Sequence, residues 1–285
     1  MLGPCAGGAG FASAMADFIV RVSDSFEGET EPSNRVDLAY DDEETCLAGV
    51  RRLLSLLPQN NHEGSRVLPC YDIPTPSEVM RHMAPADGTD LCDVGAIVGE
   101  LTDDGGYLPM RSHPTHGVIW ALARLGGHVV GFVVDQPPLL EGPANAETCD
   151  VARRFVEFCD AFGIPLITLI DRSTDAAGTS HQYEDFRHGA RLLYAYGKAT
   201  TPRISLILRW PSADGRLPIV DDRSLGADLT YAWLAGAHAG TWAKPSSSLR
   251  ATWRGFVDDV IDPAETRDVL IRSLAVLRSK EPTRL

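Results

Sequence analysis

Several things are scarce in this sequence, and each scarcity removes a class of explanation. Basic residues are outnumbered: 26 Lys and Arg stand against 39 Asp and Glu, for a net charge of −13. A nucleic-acid partner calls for a basic footprint and an anionic membrane surface calls for a basic patch, so neither is expected. No apolar run approaches the roughly 18 residues that cross a bilayer. The amino terminus, Met1-Leu-Gly-Pro-Cys-Ala-Gly-Gly, lacks the basic and long apolar regions of a secretory signal. The six cysteines, Cys5, Cys46, Cys70, Cys92, Cys149 and Cys159, contain no CxxC and no framework spacing. They read as reduced, mostly buried thiols, and the expectation is a cytoplasmic protein.

Familiar catalytic signatures are missing too. There is no G-x-S-x-G elbow, no Walker loop and no H-E-x-x-H. Gly8 and Gly10 precede no strand–helix unit, so a nicotinamide fingerprint is not supported. His113 and His116 stand three apart across a proline-containing turn, without the further convergent ligand a metal needs. Asp221-Asp222 and Asp258-Asp259 read as solvated acidic faces. No metal or nicotinamide is expected, and the cofactor requirement is otherwise open.

What is present is a regular α/β pattern. With 285 residues and 44% hydrophobic content, the chain has ample apolar material for a core. Residues 1–16 are Gly/Ala-rich and expected to be poorly ordered. A short apolar piece, Phe18–Val22, follows. Asp41-Asp42-Glu43-Glu44 suits the first turn of a helix, with Leu47, Val50, Leu54 and Leu57 as its apolar stripe and Pro58 as its end. Residues 58–90 carry five prolines and read either as a linker or as an ordered arm over a neighbouring surface. The division expected is an N-terminal segment of helix and Pro-rich linker, 1–90, and a main domain, 91–285.

In that domain Gly126-Gly127 joins Val118–Leu125 to His128–Val134 as a β-hairpin. A helix capped by Asn145 carries Val151, Phe155, Cys159 and Phe162 on one face. Ile164–Ile170 is a near-continuous apolar run, as in a strand covered on both sides. A helix over 183–196, with Phe186, Ala190, Leu193 and Tyr194 as its stripe, precedes a strand at Ile204–Leu208. This alternation predicts a largely parallel sheet with right-handed crossovers. Asp262-Pro263 opens a last helix that buries Val269, Leu270, Leu274 and Leu277.

Long stretches also resemble the β subunits of propionyl-CoA and acetyl-CoA carboxylases. These are Tyr40-Asp-Asp-Glu, Arg52–Asn61, Val133-Val-Asp-Gln-Pro137, Phe155–Asp171, Arg187–Pro202 and Arg254–Pro263, together spanning about residues 36–280. The resemblance implies an α/β fold of the crotonase type, built from ββα units whose loops offer backbone N–H groups to a thioester or enolate oxygen. Each such preorganised donor contributes on the order of 3 kcal/mol to an oxyanion.

The sequence departs from that family in three ways. Most of the half that holds acyl-CoA is absent. The family's Pro-Gly-Phe-x-Pro-Gly after Asp171 is here Arg172-Ser-Thr-Asp-Ala-Ala-Gly178. The family's Lys-Ala-Tyr-Gly-Gly-Ala-Tyr after Arg209, its biotin-facing loop, is here Trp210-Pro-Ser-Ala-Asp-Gly-Arg216. Pro211 offers no N–H, and Asp214 brings negative charge to a site meant for an oxyanion. These departures favour a repurposed enzyme doing enolate-type chemistry on a carboxylate, β-keto acid or polyketide-like acyl intermediate, by decarboxylation, dehydration or cyclisation. The alternatives are the biotin-facing half of a split carboxyltransferase and a non-catalytic scaffold subunit.

Candidate residues follow from their place after predicted strands. His181, Asp135 and Tyr183 are the catalytic candidates; imidazole titrates near neutrality and suits His181 to general acid–base work. Ser173, Asp175, Gly178, Asp214, Gly215 and Arg216 are the substrate-binding candidates. The expected partners are a small carboxylate or acyl thioester, further copies of the chain in a dimer or trimer, and a biotin carrier or acyl-CoA subunit.

Overall fold

The computed structural model describes residues 2, 12–13, 15–22, 36–70, 76–84, 93–110, 118–135, 146–171, 183–209, 223–234, 255, 257–278 and 280. Two short parallel strands open it, β1 (Val20–Val22) and β2 (Leu38–Tyr40), with Val20 opposite Leu38. Helix α1 (Glu43–Leu56) starts where Asp42 accepts the N–H of Thr45, and it packs against both strands. Its buried side is Cys46, Gly49, Leu53 and Leu56. This corrects the stripe expected from the sequence: Leu47 and Leu54 are 46% and 61% exposed. Both faces of α1 carry leucine at helical spacing, and the tertiary packing selects the one with Gly49. A Cβ at Gly49 would fall 2.1 Å from the Tyr40 ring.

The proline-rich region touches the main domain at a few described points, although most of residues 59–70 is exposed. Leu68 donates its N–H to the carbonyl of Gly127, and Arg124 donates to the carbonyls of Ser55 and Arg66. Helix α2 (Glu78–Met83), capped by Ser77, puts Met80 into the core. Arg81 ties it to Asp262 at 2.9 Å. Helix α3 (Val94–Leu101) buries Val94, Ile97, Val98 and Leu101 completely.

A seven-stranded sheet organises the rest, in the order β3-β4-β5-β6-β7-β8-β9. Strands β3 (Tyr107–Met110), β4 (Val118–Leu125) and β5 (His128–Asp135) are antiparallel. The predicted hairpin is observed at Gly126 and Gly127, whose φ of 58° and 80° suits glycine. From β5 the sheet runs parallel through β6 (Leu166–Asp171), β7 (Arg203–Arg209), β8 (Leu229–Trp233) and β9 (Asp259–Ile261). Helix α4 (Ala146–Ala161) connects β5 to β6, and α5 (Tyr183–Lys198) connects β6 to β7. Helix α6 (Thr266–Leu277) closes the described fold and buries Leu270 and Leu274.

Alternation along the strands sorts the core into two layers. Ile167, Leu169, Ile204, Leu206 and Trp233 face α2, α3 and α6. Leu166, Val133, Trp120 and Leu122 face α1, α4 and α5. On that second face one row is polar: Thr168, Ser205 and Thr230 stand in register on adjacent strands, all fully buried. The α5 stripe expected from the sequence is also corrected. Ala195 and Tyr196 are buried, whereas Ala190 is exposed and Tyr194 is 72% exposed. Tyr196 supplies the larger inward anchor, and its register leaves Tyr194 outside.

Candidate active site

Parallel strands deliver their carboxyl ends, and the loops beyond them, to one edge of the sheet. Here Asp135, Asp171, Arg209 and Trp233 end β5, β6, β7 and β8. Asp135 is paired with Val118 and Ile170 through the backbone. Asp171 is fully buried and sits where the register slips, opposite Arg209 rather than Leu208. Such a bulge re-aims the end of a strand. Helices α4 and α5 run back from this edge, so their amino-terminal N–H groups and positive dipole ends face it.

The sequence-derived candidates meet this edge unevenly. Asp135 is the last residue of β5 and Tyr183 the first of α5. His181, Ser173, Asp175, Gly178, Asp214, Gly215 and Arg216 lie outside the described residues, as do Trp210, Pro211, His113, His116, Asp221 and Asp222. Asp258 does have a described role: its carboxylate accepts the Thr230 N–H and pairs with Arg223. Among the described residues no group of three or more His, Cys, Asp or Glu is placed to hold a metal, and no helix is long and apolar enough to cross a membrane.

Two features near the edge escaped the sequence reading. His188 of α5 places Nδ1 2.9 Å from Asp150 Oδ2 of α4, linking the early turns of both helices. No motif announces this pair, because its members are distant in sequence and belong to separate elements. The other is a cleft of about 20 Å³ between β1–β2, the sheet and α4, walled by Phe18, Met110, Trp120, Phe155 and Phe158, with Arg154 and Asp37 at its polar side. The Trp120 indole N–H is buried there without a hydrogen-bond partner among the described residues. That volume admits about one water molecule and is too small for an acyl thioester.

A buried thiol lies nearby. Cys159 lies wholly inside, with its pKa pushed far up by desolvation and, secondarily, by the Asp160 carboxylate. A side chain on Gly131 would meet its Sγ at 2.7 Å.

Comparison with known proteins gives a consistent picture. Residues 30–239 match the model of the carboxyl transferase domain. The chain is 34% identical to the propionyl-CoA carboxylase beta chain of Roseobacter denitrificans, over 98% of this chain and 66% of that one. It is 32% identical to the methylmalonyl-CoA carboxyltransferase 12S subunit of Propionibacterium freudenreichii, over 99% and 64%. It is 31% identical to the methylmalonyl-CoA decarboxylase subunit alpha of Veillonella parvula, over 100% and 66%. A crystal structure of the transcarboxylase 12S subunit with methylmalonyl-coenzyme A and methylmalonic acid bound superposes with a TM-score of 0.84 at 31% identity, covering 100% of this chain and 65% of that one. The chain therefore spans just under two thirds of the relatives it matches. The first of these alignments extends over 335 positions, more than the chain's 285 residues, so that relative also carries insertions that this chain lacks.

Proposed function

The chain belongs to the carboxyl transferase family and has its crotonase-like fold, and from that premise we propose that it is a carboxyltransferase-type subunit for CoA thioesters, completed by a separate acyl-CoA-binding polypeptide and a biotin carrier. The observation that carries the reading is the match across nearly the whole chain to proteins named for CoA-thioester carboxylation, carboxyl transfer and decarboxylation. It favours a carboxyltransferase subunit over a repurposed cyclase or dehydratase. A polyketide-like substrate has no support of its own.

The chemistry such a subunit must support is an enolate. Removing a proton next to a thioester carbonyl, or losing CO2 from a carboxylate there, leaves negative charge on the thioester oxygen, and fixed N–H donors lower that barrier. This chain contributes a parallel sheet whose strands β5, β6 and β7 end at one edge. It also contributes two helix amino termini aimed at the same edge. Asp135, His181 and Tyr183 are the proton-handling candidates. Ser173, Asp175, Gly178, Asp214, Gly215 and Arg216 are the candidates for holding the acyl or carboxyl group. On the donor side Pro211 removes one N–H, and Gly215 is the glycine left to let backbone approach a ligand.

Reconstitution tests this reading. The chain is incubated with a biotinylated carrier, a biotin carboxylase and candidate acyl-CoA-binding subunits, and transfer of labelled carboxylate to propionyl-CoA is followed. The expected result is transfer that requires this chain. Absence of transfer, of methylmalonyl-CoA decarboxylation and of any stable complex with the carrier would end the proposal.

A further inference from the structure

Helices α4 and α5 pack on each other, and what joins them changes from one end to the other. At the end far from the candidate site, the Asp160 carboxylate near the close of α4 accepts the N–H groups of Thr200 and Thr201 at 2.6 and 2.9 Å. It also accepts the Thr200 hydroxyl at 3.0 Å. Along the middle, Phe155 and Cys159 of α4 share an apolar cluster with Leu192, Ala195 and Tyr196 of α5. His188 continues that inward face of α5, four residues before Leu192 and so one turn nearer the sheet edge. Apolar packing gives way there to a contact between charges, with His188 Nδ1 2.9 Å from Asp150 Oδ2.

The surrounding charges leave His188 as the group that reaches across. Arg153 stands 3.7 Å from the other Asp150 oxygen and pairs with Glu157 at 2.6 Å. All three of these residues belong to α4, so their pairing stiffens that helix without tying it to its neighbour. Arg187 and Arg191 of α5 are exposed, whereas the His188 side chain is mostly shielded from water.

We propose that His188 and Asp150 are positioning residues, which hold the amino-terminal ends of α4 and α5 in place at the candidate active site. The far ends are already clamped at Asp160, so losing the His188 contact lets α5 pivot about Thr200. Tyr183 stands about 25 Å along the helix from that clamp, at 1.5 Å per residue, and a tilt of about 3° carries it by about 1 Å. A misplacement of that size at a reacting centre costs about 100-fold in rate. For its effect on turnover the inference rests on the carboxyltransferase reading; the tie between the helices does not.

Two measurements on His188→Ala, Asp150→Ala and the double variant test the pair. In the reconstituted reaction each single variant is expected to lower kcat by about 10- to 100-fold, with KM for the acyl-CoA within about twofold of wild type. The double variant is expected to lose no more than the worse single one, as for two groups acting through one contact. Hydrogen exchange read by mass spectrometry needs no reaction. In His188→Ala the amides of residues 150–154 and 187–191 are expected to exchange about tenfold faster or more, while residues 158–161 and 196–201 keep their protection. Single variants with wild-type kcat, losses that multiply in the double variant, edge-side amides with unchanged exchange, or exchange accelerated evenly along both helices would each overturn the proposal. Where the wild type itself shows no turnover, the fault lies with the carboxyltransferase reading, and exchange alone decides the pair: selective loss of protection at the edge-side turns upholds it and unchanged protection rejects it. Should an alanine variant misfold, Asp150→Asn, which keeps the shape and removes the charge, takes its place with the same expectations.

Discussion

Asp103 holds the turn at Gly127. One carboxylate oxygen accepts the Gly127 N–H at 2.7 Å and the other accepts the Gly126 N–H at 2.8 Å. Arg267 of α6 donates to the same carboxylate at 2.6 Å, and also donates to the carbonyl of Leu101. The β4–β5 hairpin, the end of α3 and the last helix therefore meet on one acidic side chain, itself largely shielded from solvent. Removing it strands two amide donors and a guanidinium together. Asp103→Ala is expected to destabilise the fold by about 2–4 kcal/mol, with Asp103→Asn losing less. Urea unfolding measures the difference, and a loss within experimental scatter of zero would show that water replaces the carboxylate.

The same turn has a pH signature through His128, the first residue of β5. Desolvation and the nearby Arg278 lower its pKa below the ordinary histidine value, against a smaller opposite pull from Asp103. A folded pKa below the unfolded one means that the unfolded chain binds the proton first as pH falls. The stability is therefore fully present above about pH 6.5, the unfolded value, and is lost progressively as pH drops through the folded one. Comparing melting temperatures of wild type and His128→Gln between neutral and mildly acidic pH should show a shallower decline in the variant. Parallel declines would remove His128 as the cause.

The row Thr168, Ser205 and Thr230 separates two kinds of buried hydroxyl. Thr168 and Thr230 are fully buried, and among the described residues their Oγ1 atoms have no hydrogen-bond partner. Thr201, also buried, donates its hydroxyl to the carbonyl of Ile164 at 2.9 Å. Valine has nearly the shape of threonine without the hydroxyl. Thr168→Val is thus expected to be neutral or stabilising by up to about 1 kcal/mol, while Thr201→Val costs about 1–2 kcal/mol. If Thr168→Val proved as costly as Thr201→Val, an ordered water would have to satisfy the Thr168 hydroxyl.

Much of the fold was legible because a few residues permit only one local outcome. Gly126-Gly127 demands positive φ twice, and the near-continuous apolar run to Ile170 demands a strand buried on both faces. Both are observed. The stripes on α1 and α5 were misread because these helices are apolar on more than one side. Periodicity cannot choose between Leu53 and Leu54, or between Tyr194 and Tyr196; the choice is made by partners distant in sequence, such as Tyr40 against Gly49. For the site, the sequence offered only a candidate location. Strand order pointed to the ends of β5, β6 and β7, and family resemblance supplied the chemistry. The approach of His188 to Asp150 depends on how α4 and α5 pack, which no spacing within either helix reveals.

The remaining prediction concerns the proton-handling residues of the proposed reaction. Asp135 closes β5, and His181 stands between Asp171, the end of β6, and Tyr183, the start of α5. A side chain that moves a proton in the rate-limiting step contributes about 10²–10⁴-fold to turnover. In the reconstituted reaction, His181→Ala or Asp135→Ala should therefore lower kcat by about 100-fold or more, with KM for the acyl-CoA and the melting temperature nearly unchanged. A purely structural role predicts the opposite pattern, with stability falling before turnover does. The pH profile separates the two residues. Loss of His181 should abolish an inflection near neutrality, because no other candidate in that loop ordinarily titrates there, whereas loss of Asp135 should leave that inflection in place. If both alanine variants turned over at the wild-type rate, proton transfer would have to come from elsewhere, and the separate acyl-CoA-binding polypeptide would be the place to look for it.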